Sequence, residues 1–182
     1  MYLEKESFVL PDGKALTLRS PRAEDAQTML DYLRQTSGET HFMVRDADEF
    51  TMSVEDEAAF LSGVSANLRS FMLAAFDGEE AVANCSILPI SECRKACHRG
   101  SFGIAIKQKF CGCGLGTRLL QYALEQAKEL GYTQVELGVF ADNPRAKHVY
   151  EKLGFREMGV FPNAFRLSDG SFCDEVQMVK DL

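Results

Sequence analysis

At 182 residues the chain is the size of one ordinary domain and can bury a sizeable core without a disulfide or a metal. Its formal charge of −7 argues against a nucleic-acid partner, since phosphate backbones are gripped by basic surfaces, and it suits a cationic substrate. No segment approaches the ~18 unbroken apolar residues of a membrane span, and Met1-Tyr2-Leu3-Glu4-Lys5-Glu6 lacks the basic start and apolar run of a secretory signal, so a cytoplasmic protein with no membrane partner is expected.

Taken in chain order, Phe8-Val9-Leu10 runs into a Pro11-Asp12-Gly13 turn, and Leu16-Thr17-Leu18-Arg19 alternates as a strand does. A helix is predicted from about Pro21 to Gln35, with Ala26, Met29, Leu30 and Leu33 on one face. A second is predicted after Ser53, where Glu55 to Glu57 put negative charge at the helix N-terminus. Two apolar runs, Phe71–Phe76 and Ala81–Leu88, flank Asp77-Gly78 and read as a β-hairpin. Pro89–Arg99 is a polar loop and Ser101–Ile106 a further strand. Leu115–Leu130 reads as helix, Gln134–Phe140 as strand and Pro144–Leu153 as helix. Phe155–Phe161 and Cys173–Val179 read as two strands around an Asp169-Gly170 turn. Strands in a run, then strand–helix–strand–helix, imply a mixed α/β sheet in a single domain, residues 1–182.

Six cysteines (Cys85, Cys93, Cys97, Cys111, Cys113 and Cys173) read as free thiols in a reducing compartment. Cys93, Cys97 and His98 are close in sequence but lack an evident fourth ligand, so no metal site is expected.

The most informative segment runs from Ile104-Ala105-Ile106 through Cys111-Gly112-Cys113-Gly114-Leu115-Gly116-Thr117. A strand enters three alternating glycines, which open directly into a helix with the apolar stripe Leu115, Leu119, Leu120, Ala123, Leu124, Ala127 and Leu130, stopped by Gly131. The first amides of a helix have no intrahelical partner and the macrodipole adds partial positive charge. Glycines remove the Cβ atoms that would hold a phosphate away, so the segment suits a pyrophosphate. A Walker loop would need Gly-Lys-Ser/Thr, which is missing. A nicotinamide-binding fingerprint needs G-x-G-x-x-G, whereas this loop is G-x-G-x-G; Asp142 nevertheless lies near the distance of a ribose-binding acid, which keeps an oxidoreductase open as an alternative. Cys111 to Gly116 resembles the Q/R-x-x-G-x-G/A loop of the GNAT superfamily of acetyltransferases, with Cys111 where Gln or Arg is usual. The resemblance implies that Gly112, Cys113, Gly114, Leu115, Gly116 and Thr117 hold the phosphates of acetyl-CoA. It implies that Ile104, Ala105 and Ile106 bond its pantetheine arm.

A second signature is Asn143-Pro144-Arg145-Ala146-Lys147-His148-Val149-Tyr150-Glu151-Lys152-Leu153-Gly154-Phe155. Asn143 is a good N-cap, Pro144 suits the first helical position, and Gly154 suits the left-handed position after the helix. Tyr150 alone reads as a core aromatic. The full pattern N-x-x-A-x-x-x-Y-x-x-x-G-F resembles the acetyltransferase segment after the cofactor loop, where the Asn contacts the cofactor and the Tyr protonates the departing thiolate. The family implies a mixed, mostly antiparallel twisted sheet flanked by helices. It also implies direct attack of an amine on the thioester, with the oxyanion stabilised by a backbone N–H of the Ile104–Ile106 strand.

The base is less defined. Relatives of this family that acetylate protein N-termini often carry a Glu at the position of Gly138. Glu136, two residues earlier and on the same sheet face, and His98 are the candidates. Asp174 and Glu175 are candidates for binding the substrate's ammonium group. The tail Asp169-Gly170 through Asp174 to Met178 resembles the branch that acetylates amino acids or small amines, and related sequences are also often labelled as ribosomal-protein acetyltransferases, so the resemblance slightly favours a small molecule over a protein acceptor. A homodimer is compatible with this reading. Two further readings stay open: a regulator that binds acetyl-CoA without turnover, and a thiol switch through Cys111 and Cys113.

Overall fold

The computed structural model describes Leu3 and residues 5–182; Met1, Tyr2 and Glu4, on which part of the N-terminal reading rests, lie outside the described residues. The strands are β1 (Glu6–Val9), β2 (Ala15–Arg19), β3 (Phe71–Asp77), β4 (Glu80–Pro89), β5 (Arg99–Ile106), β6 (Gln134–Phe140), β7 (Arg156–Arg166) and β8 (Phe172–Asp181). The α-helices are α1 (Ala26–Glu39), α2 (Val54–Ala66), α3 (Leu115–Glu129) and α4 (Pro144–Lys152). The strands form one sheet in the order β1-β2-β3-β4-β5-β6-β8-β7. Among the described residues β5 and β6 make the one parallel pair, and every other pairing is antiparallel. The mixed, mostly antiparallel sheet flanked by helices is therefore the observed fold.

The sheet has a core on each face, and β3 shows why. Its run Phe71 to Phe76 is buried at every position. Phe71, Leu73 and Ala75 point into the larger core with α3. Met72, Ala74 and Phe76 point into a smaller one with Met29 and Tyr32 of α1 and Leu61 of α2. A strand covered on both sides loses the apolar–polar alternation of a one-sided strand.

Local chemistry sets the helix ends. Ser53 caps α2 by accepting from Asp56 N at 3.1 Å, and Asp56 bonds back in a capping box. The α1 prediction began too early: Ala23–Asp25 is a short 3-10 turn, and the α-helix starts at Ala26 and runs to Glu39. On α3 the stripe Leu115, Leu119, Leu120, Ala123, Leu124 and Ala127 is buried. Leu119 is fully enclosed there. Leu119→Ala should therefore lower unfolding stability by about 3 kcal/mol, read as a lower urea midpoint at unchanged slope.

Candidate active site

The site arises where the sheet comes apart. β5 and β6 pair only from Arg99 to Ser101 with Gln134 to Glu136. Beyond that, β5 stays bonded to β4 through Ile106, and β6 stays bonded to β8 through Phe140. The two facing edges between them have no strand partner among the described residues. Backbone N–H and C=O groups there need bonds from elsewhere. An extended ligand carrying its own amides supplies them, as a peptide does when added to a sheet edge. The opening continues into a cavity of about 970 Å³ lined by both strands, the glycine segment, α4 and the chain after α1.

At one end of the cavity lies the N-terminus of α3. Gly114 is its N-cap with φ +87°, and Gly112 has φ +85°. Side-chain-bearing residues rarely adopt this left-handed conformation. Gly116 has a different reason to be glycine: a Cβ there would come within 3.0 Å of Ile106 Cδ1, so its absence lets helix and strand pack closely. A Cβ on Gly112 would lie 2.6 Å from Arg145 Nη2. A guanidinium from the first turn of α4 thus stands beside the loop, adding full positive charge to that of the helix terminus. Positive charge is thus concentrated at this end of the cavity, on a chain with net charge −7. The sequence reading missed Arg145, whose charge acts across 33 residues of chain; its place in the signature gave no sign of which way it points.

Of the residues expected to hold the cofactor, Ile104, Ala105, Ile106, Gly112, Gly114, Gly116, Thr117 and Asn143 line the cavity. Cys113 and Leu115 do not: the Cys113 thiol donates to Phe110 O at 2.9 Å, and Leu115 is buried in the core. Asn143 Oδ1 accepts from Ala146 N at 3.1 Å and caps α4. The Cys111 thiol faces Ile106 O at 3.8 Å, and desolvation raises its pKa, which lowers its thiolate reactivity.

Tyr150 also lines the cavity. It is 8% exposed, packed edge-on against Phe102 at 6.3 Å and tilted against Phe155. Its hydroxyl has no hydrogen-bond partner among the described residues, and burial pushes its pKa up to about 12. An unbonded, nearly buried phenol beside an open cleft is a donor awaiting an acceptor.

The two expected bases are not brought to the cavity. Glu136 forms a two-pronged ion pair with Arg99, Oε1 to Nε at 2.5 Å and Oε2 to Nη2 at 2.7 Å, at the closed end of the β5–β6 wedge. His98 is exposed and precedes β5. At about 3.3 Å per residue it lies roughly 13 Å along the strand from Phe102, where the cavity begins. Both placements have one cause: the strands are zipped where these residues stand and part only beyond them.

The far side of the cavity is apolar and aromatic. Phe42 and Met43 from the chain after α1, Phe140 from β6 and Phe165 from β7 line it, with Phe140 and Phe165 stacked at 3.9 Å. A hydrogen bond between His41 Nε2 and Asp142 Oδ2, at 2.8 Å, ties that chain to the β6–α4 turn. Glu175 of β8 also lines the cavity.

Residues 29–155 match the Acetyltransferase (GNAT) family. The [ribosomal protein bS18]-alanine N-acetyltransferase of Haemophilus influenzae is 32% identical over 90 residues, 49% of this chain and 61% of that one. The L-amino acid N-acetyltransferase AaaT of Escherichia coli is 26% identical over 110 residues, 60% of this chain and 66% of that one. The chain thus spans less than two thirds of these curated relatives. A GNAT-family acetyltransferase from Streptococcus pneumoniae superposes with a TM-score of 0.87 at 27% identity, over 92% of this chain and 99% of that one. The nicotinamide alternative fails on the fold, because dinucleotide-binding sheets are mostly parallel and this one is not. With its match spanning most of the sequence, the chain belongs to the GNAT family of acetyltransferases.

Proposed function

We propose that the protein transfers the acetyl group of acetyl-CoA to a primary amine by direct attack within a ternary complex. One observation carries this reading: a single cavity joins a glycine-lined helix terminus, two unpaired strand edges and the unbonded hydroxyl of Tyr150. Each matches one part of the donor substrate. The helix terminus and Arg145 suit the pyrophosphate, the open edges suit the two amides of pantetheine, and Tyr150 suits the thioester sulfur. An N–H of the β5 edge stabilises the oxyanion that forms when the amine attacks. Tyr150 donates to sulfur as the C–S bond breaks.

The acceptor side suits an amine next to an apolar or aromatic group. The curated relatives named above act on a ribosomal protein alanine and on L-amino acids, which supports a small-molecule or N-terminal α-amine, with the small molecule slightly favoured. Among the described residues no helix is long and apolar enough to cross a membrane, which supports a cytoplasmic location. The exposed Met158, Val160 and Phe161 on the edge strand β7 support a homodimer, which light scattering would test.

The direct test is release of CoA thiol from acetyl-CoA across amino acids, their amides, alanine-terminated peptides, polyamines and aminoglycosides. Turnover with at least one amine is expected; cofactor binding without turnover for any would favour the regulator instead. Arg145→Ala should raise the Kd of acetyl-CoA by about tenfold, the loss of one charge-assisted contact, while leaving kcat at saturating acetyl-CoA unchanged. Isothermal titration would measure it.

A further inference from the structure

Amine acetylation needs a group that takes a proton from the incoming ammonium, and neither Glu136 nor His98 reaches the cavity. Gly138 lines it, and its missing side chain is the clue. A Cβ built on Gly138 would overlap Glu175 Oε1, would lie 2.6 Å from Glu175 Cδ, and would lie 3.2 Å from Gln177 Nε2. The carboxylate of Glu175 therefore fills the volume that a side chain at 138 would have taken. The register explains how it gets there. Gly138 stands opposite Gln177, and Phe140 opposite Glu175, so all four project from one face of the sheet. Leu137 and Val139 alternate to the other face, where they share a core with Tyr150.

Glu175 is also held. Gln177 Nε2 donates to its Oε2 at 2.6 Å, and Oε1 has no partner among the described residues. The neighbouring strands face it with uncharged groups, Gly138 and Phe140 from β6 and Phe161 from β7. The other charged side chains on the cavity are Glu39, Arg45 and Arg145.

We propose that Glu175 is the general base of the transfer, delivered from β8 into the space that Gly138 leaves open on β6. The proposal rests on the acetyltransferase reading above. The ammonium gives one proton to the Glu175 carboxylate, directly or through one water, and becomes a neutral amine. Its lone pair forms the C–N bond as the carbonyl becomes an oxyanion. When the oxyanion collapses, the C–S bond breaks and the sulfur takes the proton of Tyr150. The second nitrogen proton is passed back to the Tyr150 oxygen, and the proton on Glu175 goes to solvent. The sum is one amide, one CoA thiol and one released proton. Glu175 and Tyr150 thus reach the cavity from opposite faces of the sheet, at the gap where β5 and β6 part.

The test measures kcat/KM with the fastest amine of the panel, and acetyl-CoA affinity by calorimetry in the same proteins. Glu175→Gln should lower kcat/KM by about 30-fold at pH 7, less than a full general-base effect because amine arriving already neutral still reacts. Its acetyl-CoA affinity should stay within about twofold of wild type, which also shows that the fold is intact. Its kcat/KM should climb toward the amine's own pKa more steeply with pH than the wild type's does. Gly138→Ala, which evicts the carboxylate, should act in the same direction. Moving the carboxylate to β6, as Gly138→Glu in a Glu175→Ala background, should recover at least about tenfold over Glu175→Ala alone. Wild-type kcat/KM in Glu175→Gln would overturn the assignment, as would a loss with an unchanged pH profile and no rescue from β6. A wild-type protein that acetylates no amine would overturn the acetyltransferase reading itself.

Discussion

Gly114→Val should raise the Kd of acetyl-CoA by at least about 100-fold, or about 2.7 kcal/mol. The residue is the N-cap of α3 at φ +87°, and it lines the cavity. Two effects meet there. An L-residue in the left-handed region costs about 1–2 kcal/mol, and a β-branched one sits there less readily still. That cost falls on the fold. The second effect falls on the ligand: apart from its own chain neighbours, no atom of the described residues lies within 4 Å of a Cβ at 114, so valine would protrude into open cavity, over the amides proposed to receive the phosphates. Gly131 separates the two effects. It has φ +82°, no neighbour within 4 Å of a Cβ, and a place at the far end of α3. Gly131→Val should lose similar stability in thermal unfolding and keep its acetyl-CoA affinity. Equal affinities for the two variants would remove the phosphates from the helix terminus.

The contrast between Gly114 and Glu136 shows which parts of this molecule are legible in its sequence. Gly114, Asn143, Pro144 and Gly154 act through the backbone within a few residues of themselves, and the structure shows the caps and left-handed turns that their chemistry calls for. Strand β6 and the start of α3 have the predicted bounds for the same reason. What failed needs knowledge of non-local pairing. Glu136 and Gly138 do share a face, as alternation requires, but alternation does not say that β5 and β6 are zipped at one residue and parted at the other. Nor does the Asp169-Gly170 turn say that β8, the later strand of its hairpin, inserts next to β6. That insertion is what carries Glu175 to Gly138, so a residue named only as an ammonium ligand became the better candidate for the base. Arg145 was hidden likewise, since its partner loop is distant in sequence.

Tyr150→Phe should lower kcat by about 100-fold while leaving acetyl-CoA affinity within about twofold. The hydroxyl has no partner among the described residues, so removing it strands no buried polar group and empties almost no volume. The loss can only come from an interaction made during reaction. A phenol whose pKa burial has pushed to about 12 is a poor acid for a thiolate whose conjugate acid is near 8.5, if the proton must cross fully before the bond breaks. Donation that strengthens as charge grows on sulfur avoids that difficulty, because the hydrogen bond is strongest when the leaving group is most negative. The raised pKa keeps the donor proton in place throughout the neutral and mildly alkaline range, so Tyr150 should contribute no alkaline fall in kcat below about pH 11. The same shift appears in stability. The folded protein holds this proton up to about pH 12, whereas an unfolded tyrosine loses it near 10, so the contribution is complete below pH 10 and disappears as pH rises through 12. Tyr150→Phe should thus be relatively more resistant to unfolding above pH 10, by about 1.4 kcal/mol at pH 11 and close to nothing at pH 8. Urea unfolding at pH 8 and pH 11 would measure the difference. Parallel loss of stability with pH in both proteins would place the hydroxyl in water rather than in the cleft, and a kcat equal to wild type would take it out of the reaction.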